Sequence, residues 1–502
     1  MKTLVPGRVL IPLIVASALF MDILDSTVIA TSLPQIAVSF GEDPVRLSLA
    51  ITAYLLSLAV FLPVSGFLAD RYGARIIFSL AIVVFTISSV LCGFSQNLPE
   101  LFGARILQGI GGSMMVPVGR LVILRTVSKN ELVSAMAYFT VPALIAPIVG
   151  PPLGGFITTY YNWRWIFFIN VPIGVLGLIL VASLIPNLRE ASPPRLDLKG
   201  WILSALALVG LLFGFENLGR PGLPLVIILS LLTMGAIATA LYFRHARRVP
   251  EPILDFSLLS IGTLRASFLG GFFFRLGLGC AQLLLPLVLQ LGLGLSAFAS
   301  GTLSLFGAAG AMMTKIIAAP LLRQLGFRTL MLWNSVVAAA CLGVFALVSP
   351  ATPHTLLALM LFLNGASRSL QFTALNTIGY ADIEPPRMSA SSTLQAVGQQ
   401  FGVAVGVAGA AAVLHLLTVL HGGRLPALED FRGAFVLFAA LTLLSRPYFA
   451  ALPATAGNAV SGHRLEAAVE PDVAPALGVV AADAVLAEGK ETQPSGPRAS
   501  SG

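Results

Sequence analysis

Long apolar runs separated by short polar segments recur along the chain as far as residue 452. Each run holds about 20 residues, the length that a helix needs to cross the hydrocarbon core of a bilayer. The runs are continuous, whereas the strands of a membrane β-barrel alternate apolar and polar residues. The pattern predicts fourteen spans, at 9–32, 46–68, 76–95, 99–121, 133–157, 165–186, 200–219, 223–243, 265–291, 298–320, 329–349, 354–378, 388–416 and 432–452. We therefore predict an all-α polytopic membrane protein.

Composition supports this fold class. Of the 502 residues, 57% are hydrophobic and 10% are charged, whereas soluble proteins carry about 25% charged residues. A chain so poor in charge cannot cover a water-exposed surface, so lipid must be the solvent for much of it. The net charge of +8 does not indicate nucleic-acid binding, because most basic residues stand in short loops or at span ends, where they orient membrane proteins.

An even number of spans places both chain ends on the same side of the membrane. Most of the 30 Lys and Arg residues fall on the side of the N-terminus. The loops and span ends on the opposite side hold far fewer: Arg46, Arg164, Arg220, Arg424 and Arg432. Because basic loops stay in the cytoplasm, we predict a multi-pass protein of the bacterial inner membrane with both termini cytoplasmic.

The spans fall into two related halves. The loops after spans two and ten carry the matching residues Gly73 and Gly326, and Pro34 in span one matches Pro286 in span nine. Internal repeats that flank a site near the middle of the bilayer are typical of transporters. We predict a six-helix bundle at 1–186, a cytoplasmic connector at 187–199, two inserted helices at 200–243, a second six-helix bundle at 244–454 and a disordered cytoplasmic tail at 455–502.

Span one contains two acids, Asp22 and Asp25, three residues apart and followed by Thr27. Span four contains Arg105 and Gln108. A charge in the centre of a span costs at least about 2.5 kcal/mol, so such residues are functional candidates. We expect Asp25, Asp22 and Arg105 to take part in proton coupling. The alternatives are acids that only pair with a neighbouring helix and an arginine that reaches the membrane surface.

Two glycine-containing segments are candidates for conformational change. The first, between spans two and three, includes Gly66, Asp70, Arg71, Gly73 and Arg75, where glycines allow a tight turn and Asp70 can cap a helix. The second lies in span five and contains Gly150, Pro151, Gly154 and Gly155. Proline removes a helical hydrogen bond, so we expect span five to be kinked or pliable. The alternative is a purely structural loop and kink.

The second half carries bases at depth without acids: Arg275, Lys315 and Arg368. Arg275 lies almost as far before Pro286 as Asp22 lies before Pro34, so we expect it to face the cavity and to bind Asp22, Asp25 or an anionic substrate. The alternative is an arginine that only contacts a neighbouring helix or reaches the membrane surface. Lys315 is close enough to the cytoplasmic end to reach the membrane surface. The residues predicted to line the substrate cavity are Arg275, Gln108 and Thr27.

No pattern indicates enzymatic chemistry. The three cysteines lie inside apolar runs, the five histidines are scattered without the spacing of metal ligands, and no P-loop is present. We therefore expect no metal, no cofactor and no catalytic residues.

These segments resemble the motifs of the major facilitator superfamily. The loop at 66–75 is similar to its signature loop, the motif at Arg105 to its fourth-helix motif, and span five to the antiporter motif of its exporters. The first span, the block Trp163–Gly174 and the segment Met114–Leu121 resemble the 14-helix drug:proton antiporter branch, closest to its MdtD-like subgroup. The resemblance covers about residues 10–460.

The resemblance implies a proton antiporter that exports small amphipathic compounds and functions as a monomer. In that branch the acid at the position of Asp25 is characteristic, and the arginine at the position of Arg105 is implicated in proton coupling. The branch commonly has asparagine where this chain has Ala30, which puts any substrate contact there in doubt. The alternatives are export of a specific organic anion, metal–carboxylate complex or lipid, and a receptor that does not transport.

Overall fold

The computed structural model describes residues 7–126, 132–187, 196–217, 224–250, 252–384, 387–423 and 425–458, which all belong to one compact unit. The predicted tail from residue 459 onward and most of the connector at 187–199 lie outside these residues. The helices of the first half are α1 (Gly7–Phe40), α2 (Ser48–Tyr72), α3 (Ala74–Phe94), α4 (Leu98–Thr126), α5 (Leu132–Tyr160) and α6 (Asn170–Leu184). The inserted pair is α7 (Leu198–Glu216) and α8 (Leu225–Ala246).

The second half begins with α9 (Gly271–Leu287), which π-helical turns flank at Ala266–Gly270 and Val288–Gly292. The run Ala297–Gly343 holds two spans that meet at Gly326, and we name its parts α10 (297–325) and α11 (327–343). The remaining helices are α12 (His354–Ile378), α13 (Met388–Leu420) and α14 (Leu428–Leu443). Short helical turns at Trp165–Phe168 and Arg446–Ala450 extend the bundle at its edges.

Twelve helices in the described part are long and apolar enough to cross a membrane. α5, with 29 residues, and α12, with 25, also exceed the length of about 20 that a span requires. Every predicted span therefore coincides with a helix. The outward faces are apolar as well: on α3, Phe78 and Phe85 are buried, whereas Ile76, Leu80 and Leu91 are exposed. A helix that is apolar on both faces is stable in hydrocarbon rather than in water.

The repeat is visible in the backbone. Gly73 (φ 102°) and Gly326 (φ 70°), which the sequence matches, both adopt positive φ between consecutive helices. A side chain at Gly109 of α4 would collide with the carbonyl oxygen of Tyr54 on α2, and one at Gly365 of α12 would collide with that of Gly307 on α10. Tyr54 and Gly307 precede the two matched loop glycines by the same spacing. The two halves thus share the same close helix contact.

The inserted pair packs beside the two halves. α7 and α8 contact each other, and α7 also contacts α2 and α13. The Trp201 side chain on α7 donates a hydrogen bond to the carbonyl of Val60 on α2 (2.8 Å). His245 near the end of α8 contacts Asp197, the N-cap of α7, at 2.7 Å. These contacts anchor the pair to both halves.

Most helix ends differ from the predicted span ends by a few residues, and two differences have a clear physical reason. Span one was expected at 9–32, but α1 continues through Pro34 to Phe40. Proline removes one backbone hydrogen bond without ending a spanning helix, because neighbouring groups can satisfy the freed carbonyl. Spans ten and eleven, expected with a loop between 320 and 329, form one kinked run, because Gly326 alone makes the turn.

Candidate functional site

A cavity of about 470 Å³ lies between the two halves. α1 and α5 line it from the first half, and α9, α10 and α12 line it from the second. Its walls are mainly apolar. The polar residues that line it are Ser26, Thr27, Thr31, Gln282, Ser304, Lys315, Asn364, Arg368 and Ser369.

The halves meet closely at one end of this cavity. We call the end of the bundle that carries Gly7 and Asn458, the first and last described residues, the terminal face, and the other end the opposite face. At the opposite face, a Cβ at Gly155 of α5 would lie 2.3 Å from the carbonyl oxygen of Ala297 on α10, and one at Gly301 would lie 2.1 Å from that of Pro151. Gln290 also donates a hydrogen bond to the Thr31 carbonyl (2.9 Å). The cavity is therefore closed at the opposite face.

α5 carries the predicted span-five motif, and the residues of this motif contact different neighbours. Gly150 and Gly154 pack against α1, where a Cβ would lie 2.0 Å and 2.7 Å from the hydroxyl oxygens of Thr27 and Thr31. Gly155 packs instead across the boundary between the halves, and Pro151 lines the cavity. The helix contains four prolines in total. Small residues thus join α5 to α1 and to α10 at backbone distance.

A polar cluster is buried inside the first half, away from the cavity. The Arg105 guanidinium, which is fully buried, donates hydrogen bonds to the Asp25 carboxylate and to Gln108 Oε1 (2.6 Å). The Gln108 amide donates to Asp25 Oδ1 (2.8 Å) and to Ser89 Oγ (2.8 Å). Asn170 donates to Asp25 Oδ1 (3.2 Å) and to Ser89 Oγ (2.9 Å). α1, α3, α4 and α6 therefore meet at one carboxylate.

The second acid of α1 has a different environment. Asp22 is half-buried and accepts a hydrogen bond from the Tyr54 hydroxyl. The Tyr54 ring lies 4.3 Å from the Arg105 guanidinium, a cation–π contact. A Cβ at Gly112 would lie 2.8 Å from that hydroxyl. Asp22 precedes Ser26 by one helical turn, so it continues the face of α1 that lines the cavity. Tyr54 therefore connects the acid near the cavity with the buried ion pair.

The remaining residues that were predicted to form the cavity or to change conformation lie in different parts of the structure. Thr27 lines the cavity, whereas Gln108 belongs to the buried cluster. The predicted loop lies at the terminal face, where the Arg71 guanidinium lies 5.8 Å from the Tyr72 ring and a Cβ at Gly73 would collide with Asn187.

Arg275 is not paired with either acid, because Asp25 binds Arg105 and Asp22 binds Tyr54. It is buried (1% exposed) and does not line the cavity in this structure. Its Nη1 lies 3.5 Å from the Ser267 carbonyl oxygen, and its Nε has no hydrogen-bond partner. The expected pairing across the halves fails because Arg275 points within its own half, against Gly271 and Gly402.

The two buried arginines are expected to respond in opposite ways to replacement by methionine. Arg105→Met leaves the Asp25 carboxylate buried without its cation, which should destabilise the protein by about 3–5 kcal/mol. Arg275→Met removes a buried charge that no acid among the described residues compensates, so it should not destabilise the protein and should raise the unfolding temperature. Thermal unfolding of the purified proteins in one detergent measures both effects.

Equal destabilisation by the two substitutions would contradict this interpretation, since it would mean that Arg275 depends on a charged partner as strongly as Arg105 does. Arg265→Met provides the control, because Arg265 is exposed and its replacement should leave the unfolding temperature unchanged.

Three members of the buried cluster were not singled out from the sequence: Tyr54, Ser89 and Asn170. Each is a polar side chain inside a predicted span, which is itself a signal. Their partners could not be inferred, because nothing in the spacing shows which faces of α2, α3 and α6 meet Asp25. Within the described residues, no group of three or more His, Cys, Asp or Glu residues is placed to hold a metal ion.

Comparison with known proteins agrees with this architecture. The sequence pattern of the Major Facilitator Superfamily matches residues 15–407. A protein of Pectobacterium carotovorum named "Putative multidrug resistance protein MdtD" is 34% identical over 91% of this chain and 97% of its own length. A protein of the same name from Serratia proteamaculans is 36% identical over 78% of this chain and 82% of its own length.

Solved structures show the same fold. A bacterial homologue of the human lysosomal transporter Spinster superposes with a TM-score of 0.64 at 14% identity, covering 92% of this chain and 99% of that chain. A D-xylose–proton symporter also has a TM-score of 0.64, at 15% identity, over 89% of this chain and 98% of that chain. The chain belongs to the Major Facilitator Superfamily, as its motifs predict, and is a multi-pass membrane transporter.

Proposed function

We propose that this protein is a proton antiporter that exports small amphipathic compounds from the cytoplasm, of the multidrug-efflux type. The observation that carries the proposal is the buried Asp25–Arg105 pair, which lies inside the half that forms one wall of a mainly apolar cavity. The name that these relatives carry, multidrug resistance protein, supports the direction and the type of substrate.

The buried pair is suited to couple a proton to a change of conformation. Protonating Asp25 would remove its attraction for Arg105 and leave the guanidinium buried without an acid, which is unfavourable. The groups that surround the pair belong to five helices, because Ala50 on α2 accepts a further hydrogen bond from Arg105 Nε (3.1 Å). Protonation would therefore alter the packing of most of the first half.

We infer that Asp22 receives the proton from the cavity and that Asp25 is the coupling acid. Asp22 is half-buried on the cavity side, and Tyr54 lies between it and Arg105. A shift of the helices that lets water reach Asp25 would complete the route. The two acids are close enough to titrate as a coupled pair, so a partial role for each is consistent with the proposal.

Alternating access would move the two halves around the cavity. The cavity is closed at the opposite face, and the Lys315 side chain is exposed on the terminal side. This conformation therefore opens toward the terminal face. The segments proposed to move are the bundles at 1–186 and 244–454, with the pair at 200–243 carried alongside. The cavity is formed by one chain, which supports function as a monomer.

Transport by purified protein in liposomes tests the proposal. With an imposed pH gradient, we expect uphill movement of at least one of two amphipathic dyes, anionic carboxyfluorescein or cationic rhodamine 6G, in one direction and proton movement in the other. Dye movement that only follows its own gradient, with no pH change in the lumen, would overturn proton antiport. Binding of the dye without any movement would favour a receptor.

The orientation is tested by fusing reporters after Thr455, just before the end of the described chain. Because basic residues concentrate in loops on the side of the chain ends, we expect this site to be cytoplasmic. A fluorescent-protein fusion should then be bright in cells, and an alkaline phosphatase fusion should be inactive. The reverse pattern would contradict the proposed orientation.

A further inference from the structure

The charges that line the central cavity have one sign. Arg368 on α12 and Lys315 on α10 contribute positive charge, and no Asp or Glu is among the described residues that line the cavity. Neither base takes part in an ion pair within the described part of the chain. Water-poor walls strengthen the field of such charges, so the second-half wall attracts anionic groups.

Arg368 is the better placed of the two bases. It follows Asn364 and precedes Phe372 by one helical turn, and all three side chains line the cavity. Its Nε atom is buried and has no hydrogen-bond partner. The Lys315 ammonium instead donates to Thr373 Oγ1 (2.9 Å), about one turn nearer the terminal face. A guanidinium with free donors in a spanning helix is costly unless it serves a ligand.

The repeat allows the position of Arg368 to be compared with its counterpart in the first half. Gln108-Gly109 of α4 and Asn364-Gly365 of α12 match, which makes Arg368 the counterpart of Gly112. In the first half, Tyr54 fills the space in front of Gly112.

The counterpart of Tyr54 is Gly307, which itself lines the cavity. The absence of a ring there leaves room for the Arg368 guanidinium. The counterpart of Arg105 is Leu361, so the second half has no cation at this matched position and has Arg368 in the cavity instead.

We propose that Arg368 is the specificity-determining residue of the cavity and that it binds the anionic group of an amphipathic substrate, with Lys315 attracting that group from the terminal side. The proposal rests on the cavity being the transport site and adds the sign of the substrate's charge. A guanidinium binds a carboxylate through two parallel hydrogen bonds, which an ammonium cannot do.

The rest of the cavity fits the remainder of such a molecule. Phe372, Leu278 and Leu285 provide apolar contact, and Gln282, Asn364 and Ser304 provide neutral hydrogen-bonding groups. The first-half wall contributes the hydroxyls of Ser26 and Thr27. A compound with one anionic group and an apolar body satisfies every part of this lining, whereas a cationic compound would face Arg368 without a compensating acid among the described residues that line the cavity.

Equilibrium binding to purified protein tests this inference without a proton gradient. The probes are two xanthene dyes of similar shape, anionic carboxyfluorescein and cationic rhodamine 6G, and fluorescence anisotropy gives each Kd. We expect the wild-type protein to bind carboxyfluorescein more tightly. Arg368→Gln should weaken carboxyfluorescein binding by about 10- to 100-fold, as expected for a lost charge-assisted hydrogen bond, and should leave rhodamine 6G binding unchanged or tighter.

Matched variants separate this role from a structural one. Arg265→Gln removes one positive charge from the same half outside the cavity and should not change either Kd. Arg368→Lys should restore part of the anionic binding if Arg368→Gln folds poorly. Equal weakening of both dyes, or no change in either, would overturn the assignment, as would a wild-type protein that does not bind carboxyfluorescein. This binding experiment does not depend on proton antiport. Only the liposome experiment can contradict the proposal of proton antiport.

Discussion

Replacing Asp25 by asparagine is expected to abolish uphill, proton-driven transport. Asparagine keeps the size of the side chain and can still contact Gln108 and Asn170, but it cannot bind and release a proton. The uncompensated Arg105 would also hold the first half in one arrangement. In liposomes with an imposed pH gradient, we expect dye accumulation to fall to the level of empty liposomes, while equilibrium binding of the dye persists.

Asp22→Asn is the matched comparison and should have a milder effect. Asp22 is half-buried one helical turn before Ser26, which lines the cavity, so water can replace part of its role in proton transfer, whereas Asp25 is enclosed by protein groups. Full uphill transport by the Asp25→Asn protein would rule out the coupling mechanism. A larger loss with Asp22→Asn than with Asp25→Asn would assign the coupling proton to Asp22 instead.

A side chain at Gly155 is expected to prevent closure at the opposite face. The Cβ of valine there would lie 2.3 Å from the Ala297 carbonyl oxygen, and backbone atoms of a spanning helix cannot move aside cheaply. The conformation that opens toward the terminal face would be lost, while one that separates these helix ends would be tolerated. Gly155→Val should therefore fold, insert and fail to transport.

Cysteine labelling measures this shift directly. Ala308 lines the cavity, so Ala308→Cys in a chain whose three native cysteines are replaced by alanine reports access from each side. Gly155→Val should reduce labelling from the terminal side. Gly103→Val is the control, because a Cβ at Gly103 of α4 meets no atom within 4 Å. Normal labelling and transport in Gly155→Val would show that the halves do not close at this contact.

Much of the functional argument could be made from particular residues in the sequence. Asp25 and Arg105 are charges in long apolar runs, and such charges are rare enough to identify a site. Gly73 and Gly326 revealed the repeat, because only glycine readily takes the backbone conformation that both turns require. The environments of Asp22 and Asp25 were not predictable in the same way, because two residues three apart on a helix can face different neighbours.

The sequence alone determined the membrane class, the positions of the fourteen spans and the two related halves, because these depend on local apolar length and on repeated residues. Only the tertiary structure decided which charges meet. It placed Gln108 and Asn170 beside Asp25, removed Arg275 from the acids, and brought Arg368 to the cavity wall. The reason is physical: hydrocarbon solvates every apolar helix face equally well, so the rotation of each helix is set by packing and hydrogen bonds between helices that are distant in sequence.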